Sequence, residues 1–386
     1  MASDQHEVYA ERATRAYRAM LRRFRKRGGM YKYDEGPALF RSAQLWPFAR
    51  AFVATLDMAG IPEGGTEGLD LRGLIAEHLE ILERYWDSAG PAPAYCSDVS
   101  GASRQGDRYY DDNAWVGLAL VELERLMPGS GWLGRAGDLF QFAVAGWDRR
   151  AGGVFWVEQG RGTGMRNRDR NTVSNAPNAE VGLHVAELSG GGGSGSADGQ
   201  GGPGGASAHD AASPIGPLDM YRWVLDTLDA GHDGDAPGSG LFWDKIRGDG
   251  SIDRATWSYN QGSMVGLNVL LARLYPEDRD RYLGLAEAIA RKALKKFAGV
   301  FEQQRAAFNA IFFRNMLLLH DASQDEELRR ETIDAMRAFA DAAWHEARDR
   351  RDLFHLRGLP TLLDQSAIVQ VLALLAWDPA GYGRLA

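Results

Sequence analysis

The chain reads as all-α, an (α/α)6 barrel of six helical hairpins, on three observations. Twelve segments with helical apolar spacing follow one another through 386 residues, and amphipathic ones alternate with ones apolar nearly all round. An amide side chain stands near the start of every even-numbered segment. The tripeptide Val-Gly-Leu recurs at Val116-Gly117-Leu118, Val181-Gly182-Leu183 and Val265-Gly266-Leu267, each about one turn into an even segment. A helix apolar all round is buried on all sides, so the even set is expected to form the inner ring. Glycine destabilises a helix interior, so its return at one depth points to close helix approach.

The first helix is expected near 5–27, charged on one side and ending in Arg22-Arg23-Phe24-Arg25-Lys26-Arg27. Cations at a helix C-terminus oppose its dipole, so this run reads as a solvated end rather than a phosphate-binding patch. The second, near 40–59, carries Gln44 and has Pro47 in its first turn, where the missing N–H costs nothing. The third, near 68–88, is again charged on one side. The fourth, near 112–127, opens on Asp112 and Asn113 and continues as an apolar run over 114–121. The fifth lies near 132–148, and the sixth, near 175–188, has Asn175, Pro177 and Asn178 in its opening turns.

A very Gly-rich stretch then covers about 189–213. It lacks the Gly-Lys-Ser/Thr ending of a phosphate loop and follows no strand, so it reads as a flexible insertion rather than a nucleotide site. The seventh helix is placed near 215–230, and the eighth, near 260–274, starts on Asn260-Gln261. Between them, His232-Asp233-Gly234-Asp235 resembles a calcium loop whose pattern breaks at Pro237, and it reads as a solvated turn. The ninth, near 278–297, aligns Tyr282, Leu285, Ala286, Ile289, Ala293 and Phe297 on one face. The tenth (303–320) carries Asn309, the eleventh (325–346) is charged on one side, and the twelfth (364–377) has Gln365 at its start and from Ala367 to Trp377 is interrupted only by Gln370.

Composition sets the class. At 45% hydrophobic residues the chain can bury a large core, and a single catalytic domain spanning 1–386 is expected. A net charge of -8 argues against nucleic acid as a partner. The single cysteine, Cys96, excludes an intrachain disulfide and a multi-cysteine metal site. His184, His320 and His355 lack metal-ligand spacing, so no metal and no cofactor are expected. No membrane span and no secretory leader are visible, which predicts a cytoplasmic protein; the oligomeric state stays open, with a monomer expected.

Chemistry is most legible at Tyr109-Tyr110-Asp111-Asp112-Asn113-Ala114-Trp115. Two carboxylates between aromatic rings fit glycosidic-bond cleavage, in which one carboxyl group protonates the leaving oxygen while another attacks the anomeric carbon or activates water. Neighbouring helical side chains diverge by about 100°, so the two reach different parts of one sugar. The competing reading is a helix cap. If the six inner starts converge on one mouth, Gln44, Asn113, Asn175, Asn178, Asn260, Gln261, Asn309 and Gln365 would ring it with groups for hydroxyls. Two similar stretches, Gly153-Val154-Phe155-Trp156-Val157 and Gly240-Leu241-Phe242-Trp243-Asp244, read as short rim strands. Candidate substrate-binding residues are therefore Gln44, Tyr110, Asn113, Trp156, Asn175, Asn178, Trp243, Asp244, Tyr259, Asn260 and Gln261, with Trp257 a further aromatic platform.

Tyr110-Asp111-Asp112-Asn113-Ala114-Trp115 resembles glycoside hydrolase family 76, the endo-α-1,6-mannanases. Thr256-Trp257-Ser258-Tyr259-Asn260-Gln261-Gly262 resembles that family's Thr-Tyr-Asn-Gln-Gly stretch, and Val173-Ser174-Asn175 its Ile-Ser-Asn stretch, over a span of about 43–377. The resemblance implies an (α/α)6 barrel and metal-independent, retaining hydrolysis of α-1,6-mannosidic bonds in a mannan-like glycan. By position it implies Asp111 as nucleophile and Asp112 as general acid/base. The absent export signal and the Gly-rich insertion depart from the family pattern. Two alternatives remain: a transglycosylase using the same intermediate, and a non-catalytic glycan-binding barrel.

Overall fold

The structure, a computed structural model, describes residues 2–33, 42–90, 92–99, 106–160, 167–190, 214–231, 238 and 240–386. Twelve α-helices are present among them. The first six are α1 (Ala2–Phe24), α2 (Leu45–Ala59), α3 (Leu71–Leu82), α4 (Tyr110–Leu126), α5 (Leu133–Ala145) and α6 (Thr172–Leu188). The others are α7 (Pro217–Leu228), α8 (Ser258–Leu274), α9 (Arg279–Phe297), α10 (Ala306–Ala322), α11 (Glu326–Ala342) and α12 (Leu362–Leu375). The Gly-rich stretch from 191 onward and the His232-Asp233-Gly234-Asp235 turn lie outside the described residues.

The even helices are buried along nearly their whole length and form a closed ring. Helix α2 packs on α4, α4 on α6, α6 on α8, α8 on α10, α10 on α12, and α12 returns to α2. The odd helices lie outside, each against inner neighbours: α1 on α12, α5 on α4 and α6, α9 on α8. This is the (α/α)6 arrangement that the alternation of apolar patterns implies.

Repeated glycines serve close approach. A Cβ on Gly117 would meet Val181 of α6 at 2.9 Å, and one on Gly266 would collide with the Asn315 side chain of α10. Pro177 is the exception to the sequence reading. Helix α6 begins at Thr172, so this proline sits inside the helix rather than in its first turn, and it removes the N–H that would bond the Val173 carbonyl.

Short strands decorate one end of the barrel. β1 (Trp86–Asp87) pairs with β2 (Ala94–Tyr95), and β3 (Arg170–Asn171), β4 (Lys245–Ile246) and β5 (Ile252–Asp253) form an antiparallel sheet in that order. The two loop stretches expected to be strands, 153–157 and 240–244, instead contribute isolated bridges such as Trp147 with Val154 and Asp229 with Phe242. Their backbone groups are claimed by side chains from the inner helices, as described below.

A buried ionic cluster fills the barrel interior. The Arg314 guanidinium on α10 bonds Asp57 on α2 and Glu122 on α4, at 2.5 Å for Glu122. Arg50 on α2 bonds Gln370 on α12. One cation therefore ties helices from different parts of the ring through charges that each lose water only because they are paired. Among the described residues no helix is long and apolar enough to cross a membrane.

Candidate active site

Helix α4 starts at Tyr110, with Tyr109 in extended conformation at the N-cap and no side-chain cap bond. Asp111 and Asp112 thus occupy the first turn itself, and neither is the cap that a bare Asp-Asp pair would suggest. Unbonded N–H groups and the helix dipole favour negative charge at this point. Asp111 Oδ1 accepts the Asp112 backbone N–H at 3.1 Å, and its Oδ2 accepts the indole N–H of Trp156 at 3.2 Å. Trp156 is held in turn by backbone pairing: the Tyr110 N–H donates to the Trp156 carbonyl, and the Glu158 N–H donates to that of Arg108. Arg108, almost wholly buried, forks onto both oxygens of Glu158 at 2.6 Å and so clamps the two segments together.

The pair titrates unequally. Burial pushes Asp111 up to about 7, the Trp156 indole and the Asp112 backbone N–H pull it back, and the charge on Asp244 raises it again. Asp112 lies well above the ordinary carboxylate range, first through burial and then through the adjacent charge of Asp111. Asp111 is the partner with hydrogen bonds to its charged form, so it ionises first. Asp112 then keeps its proton against both desolvation and a neighbouring anion. One carboxylate that ionises readily beside one that holds its proton is an arrangement that glycoside cleavage can use.

Asp244 lies in the rim segment between Trp243 and β4. Its backbone carbonyl accepts the Thr172 N–H at the head of α6, and its side chain is pushed up to about 6, chiefly by burial. Asn260, fully buried in the first turn of α8, donates toward the Trp243 carbonyl. Trp243 lies under the Arg254 guanidinium, 5.1 Å from its ring centre. Asn178 on α6 donates to the Tyr110 carbonyl of α4 at 3.1 Å. Asp111, Asp112, Trp156, Asn178, Trp243, Asp244 and Asn260 are therefore gathered around the heads of α4, α6 and α8.

An aromatic group extends this site toward α2 and α10. Tyr259 stacks on Phe308 at 3.9 Å with an interplanar angle of 7°, and Trp46 and Trp257 lie 6.2 and 5.9 Å from Phe308. Trp115 lies 6.5 Å from Tyr259. Tyr109, tilted against Trp156 at 4.9 Å, covers the side next to the carboxylates. The sequence reading named Tyr259 as a platform and Tyr109 and Trp115 as rings flanking the Asp pair, but it missed Trp46 and Phe308. The usable signal was an aromatic within two residues of an amide or carboxylate at the head of an inner helix.

Several expected binding residues are not available to a ligand. Tyr110 is buried and stacks on Phe142 of α5 at 4.4 Å, because one step along the helix turns its ring away from Tyr109 and into the core. Asn113 accepts the Tyr95 N–H and donates to the carbonyls of Tyr95 and Tyr109. Asn175 does the same with Val154 and Asn171, and Gln261 with Phe242 and Trp257. Gln365 takes the Phe354 N–H and the Asp352 and Ala16 carbonyls. Asn309 is occupied by Ser258 and the Phe301 carbonyl. These amides tie neighbouring backbone to the heads of the inner helices, and the oxygen and the NH2 group of each are both engaged in doing so. Gln44 differs: it is exposed at the N-cap of α2 and forms no cap bond.

Among the described residues no group of three or more His, Cys, Asp or Glu is placed to hold a metal ion.

Residues 8–192 match the model for glycosyl hydrolase family 76. That span contains Asp111, Asp112 and Trp156; the Thr256–Gly262 stretch lies beyond it. No curated protein matches the sequence. Among solved structures, a family 76 glycoside hydrolase from a bovine strain of Bacteroides thetaiotaomicron superimposes with a TM-score of 0.75 at 20% identity, covering 95% of this chain and 77% of the other. The α-1,6-mannanase of Salegentibacter sp. HEL1_6, as an inactive variant with two consecutive aspartates changed to asparagine and α-1,6-mannotriose bound, gives 0.70 at 20% identity over 95% and 99% of the two chains. A D-mannose isomerase gives 0.62 at 13% identity over 95% and 97%. At these identities the likeness is one of fold, and the isomerase shows that this barrel carries more than one sugar chemistry.

Proposed function

We propose that this chain, matched to glycosyl hydrolase family 76 over residues 8–192, is a glycoside hydrolase that cleaves α-1,6-mannosidic bonds with retention of configuration. The observation that carries the reading is the Asp111-Asp112 pair in the first turn of α4, unequal in proton affinity and faced by the Trp156 indole. In the first step an oxygen of ionised Asp111 bonds to the anomeric carbon while Asp112 gives its proton to the glycosidic oxygen. The shortened glycan leaves as an alcohol, and the sugar remains as an ester of Asp111. In the second step Asp112, now a carboxylate, takes a proton from water; the water oxygen bonds to the anomeric carbon and Asp111 departs as carboxylate. Removing the first-step product relieves the site for water, whereas a second sugar hydroxyl in that place would give transfer instead.

The linkage assignment leans on two things: the resemblance of the three quoted motifs, and the α-1,6-mannotriose bound by the Salegentibacter relative in a form that lacks two consecutive aspartates. Incubating the full chain with α-1,6-, α-1,2- and α-1,3-mannooligosaccharides tests it. Shortened α-1,6 products alone are expected. Cleavage of only another linkage, or none, would overturn the assignment, and longer products at high substrate would place transfer above hydrolysis.

A further inference from the structure

Two short segments meet where Asp111 is held. Tyr109 pairs with Val157 in an antiparallel bridge, and one step along that pairing Arg108 stands opposite Glu158 and Tyr110 opposite Trp156. The Tyr110 N–H donates to the Trp156 carbonyl at 3.1 Å, and the Glu158 N–H to that of Arg108 at 2.9 Å. Asp111 follows Tyr110 directly, and the Trp156 indole reaches its Oδ2 at 3.2 Å. A two-stranded pairing is marginal on its own. A slip of one residue would carry the indole about 3.3 Å along the chain and turn it to the other face. Its hydrogen bond to Asp111 would then be lost.

An ion pair fixes that register. Arg108 meets both oxygens of Glu158 at 2.6 Å, a fork whose two parallel bonds set distance and angle together. The Arg108 end is anchored: its third nitrogen donates to the Asp87 and Ala89 carbonyls at 3.5 and 3.3 Å, and the guanidinium lies 5.0 Å from the Phe142 ring on which Tyr110 stacks. Only 1% of the Arg108 side chain is exposed, against 18% for Glu158. A buried ion pair is seldom more stabilising than apolar side chains of the same size, because both charges give up water. Geometry is what this pair supplies and apolar side chains would not.

We infer that Arg108 and Glu158 are positioning residues for the cleavage step, their fork holding the Trp156 indole on the Asp111 carboxylate through the register of the two segments. This rests on the glycoside-hydrolase reading above and adds what sets the reactivity of its nucleophile. The indole bonds the ionised form of Asp111 and so favours it, against burial and against the charge on Asp244. Loosening the fork therefore raises the pH at which Asp111 ionises. Facing Asp111 are Asp112 on its own helix, Asp244 from the rim, Tyr109, and Tyr259 with Arg305 near it; facing the fork are Asp87 and Tyr110. Replacing Arg108 and Glu158 together leaves all of these in place and the net charge unchanged, so a shift in Asp111 would come from geometry.

The test is made on the full chain with Arg108→Met/Glu158→Leu, which keeps the bulk of the pair and removes its fork. The variant should melt within a few degrees of wild type. The acid limb of kcat/KM on α-1,6-mannotriose should nevertheless move up by about one pH unit, the loss expected for a hydrogen bond to a charged group. Trp156→Phe should shift the limb as far, and the triple variant no further, because pair and indole act in series. An acid limb at its wild-type position in the pair variant, or shifts that add in the triple variant, overturns the inference. Should the pair variant melt early, Glu158→Gln keeps the shape of the side chain and one arm of the fork; a smaller shift in the same direction is expected, and no shift overturns the inference. A second readout needs no turnover. The indole N–H resonance of Trp156 in nitrogen-labelled protein, assigned by its absence from Trp156→Phe, should titrate with Asp111 in wild type and lose that titration in the pair variant. An unchanged titration overturns the inference as well. Wild-type protein that leaves mannotriose intact at every pH would overturn the α-mannoside reading, while the resonance would still decide the role of the fork.

Discussion

At the scale of residues, the proposed catalysis turns on two neighbours with different jobs. In the proposed mechanism Asp112 protonates the leaving group, so Asp112→Ala should lose most activity on a mannan-like oligosaccharide yet keep a measurable rate on a mannoside whose leaving group needs no proton. Azide, which attacks the ester without a general base, should raise that rate. Asp111→Ala should be inactive on both substrates, and the reverse order in steady-state assays would exchange the assignments. The raised carboxyl pKa values also carry a stability consequence. A carboxyl whose folded pKa lies above its unfolded value contributes stability that is present below about pH 4 and is lost as pH rises through the folded pKa, about 7 for Asp111. Asp111→Asn should therefore raise the melting temperature at pH 8 by a few degrees and have little effect near pH 4, as differential scanning calorimetry would show. The Asp pair was readable from the chain because it lies between aromatics within a longer motif that resembles family 76; alone it would read as a helix cap. The orientation of Tyr110 was not, because one residue of helical rotation decides between cleft and core and only the packing of Phe142 settles it.

At the scale of elements, the amides at the heads of the inner helices have a different role from the one their placement invited. Their recurrence was visible in sequence, and a hydroxyl-binding ring was the natural inference. What could not be read is that the backbones of Tyr95, Val154 and Phe242, some 18 to 21 residues earlier, would come back to claim the amides of Asn113, Asn175 and Gln261. That is a tertiary arrangement with no local signal. It predicts that Asn175→Ala, which strands both backbone groups of Val154, costs about 1–3 kcal/mol in denaturant unfolding. Because Val154 leads directly to Trp156, some loss of kcat should follow from misplacing the indole. A variant that binds substrate more weakly but unfolds at the wild-type denaturant midpoint would return Asn175 to the ligand.

For the whole molecule, the barrel was legible because its two kinds of helix differ in composition: an inner helix such as α12 has no polar face, while α9 and α11 do. The ionic cluster inside was not legible, since Asp57, Glu122 and Arg314 are 65 and 192 residues apart along the chain and each alone looks like an interruption of an apolar run. Arg314→Ala would leave two buried carboxyl groups facing each other without their cation, at a cost of roughly 3–5 kcal/mol in chemical unfolding. A cost below about 1 kcal/mol would mean that the carboxyls simply share a proton and that the arginine is dispensable. The ring fixes the heads of α4, α6 and α8 against one another, and with them the carboxylates and the indole on which catalysis is proposed to depend. The most direct measurement of that claim is the anomeric configuration of the first product released from an α-1,6-mannooligosaccharide, followed by proton NMR before mutarotation. Attack by Asp111 through a covalent ester predicts the α anomer at the new reducing end; initial release of the β anomer would contradict it.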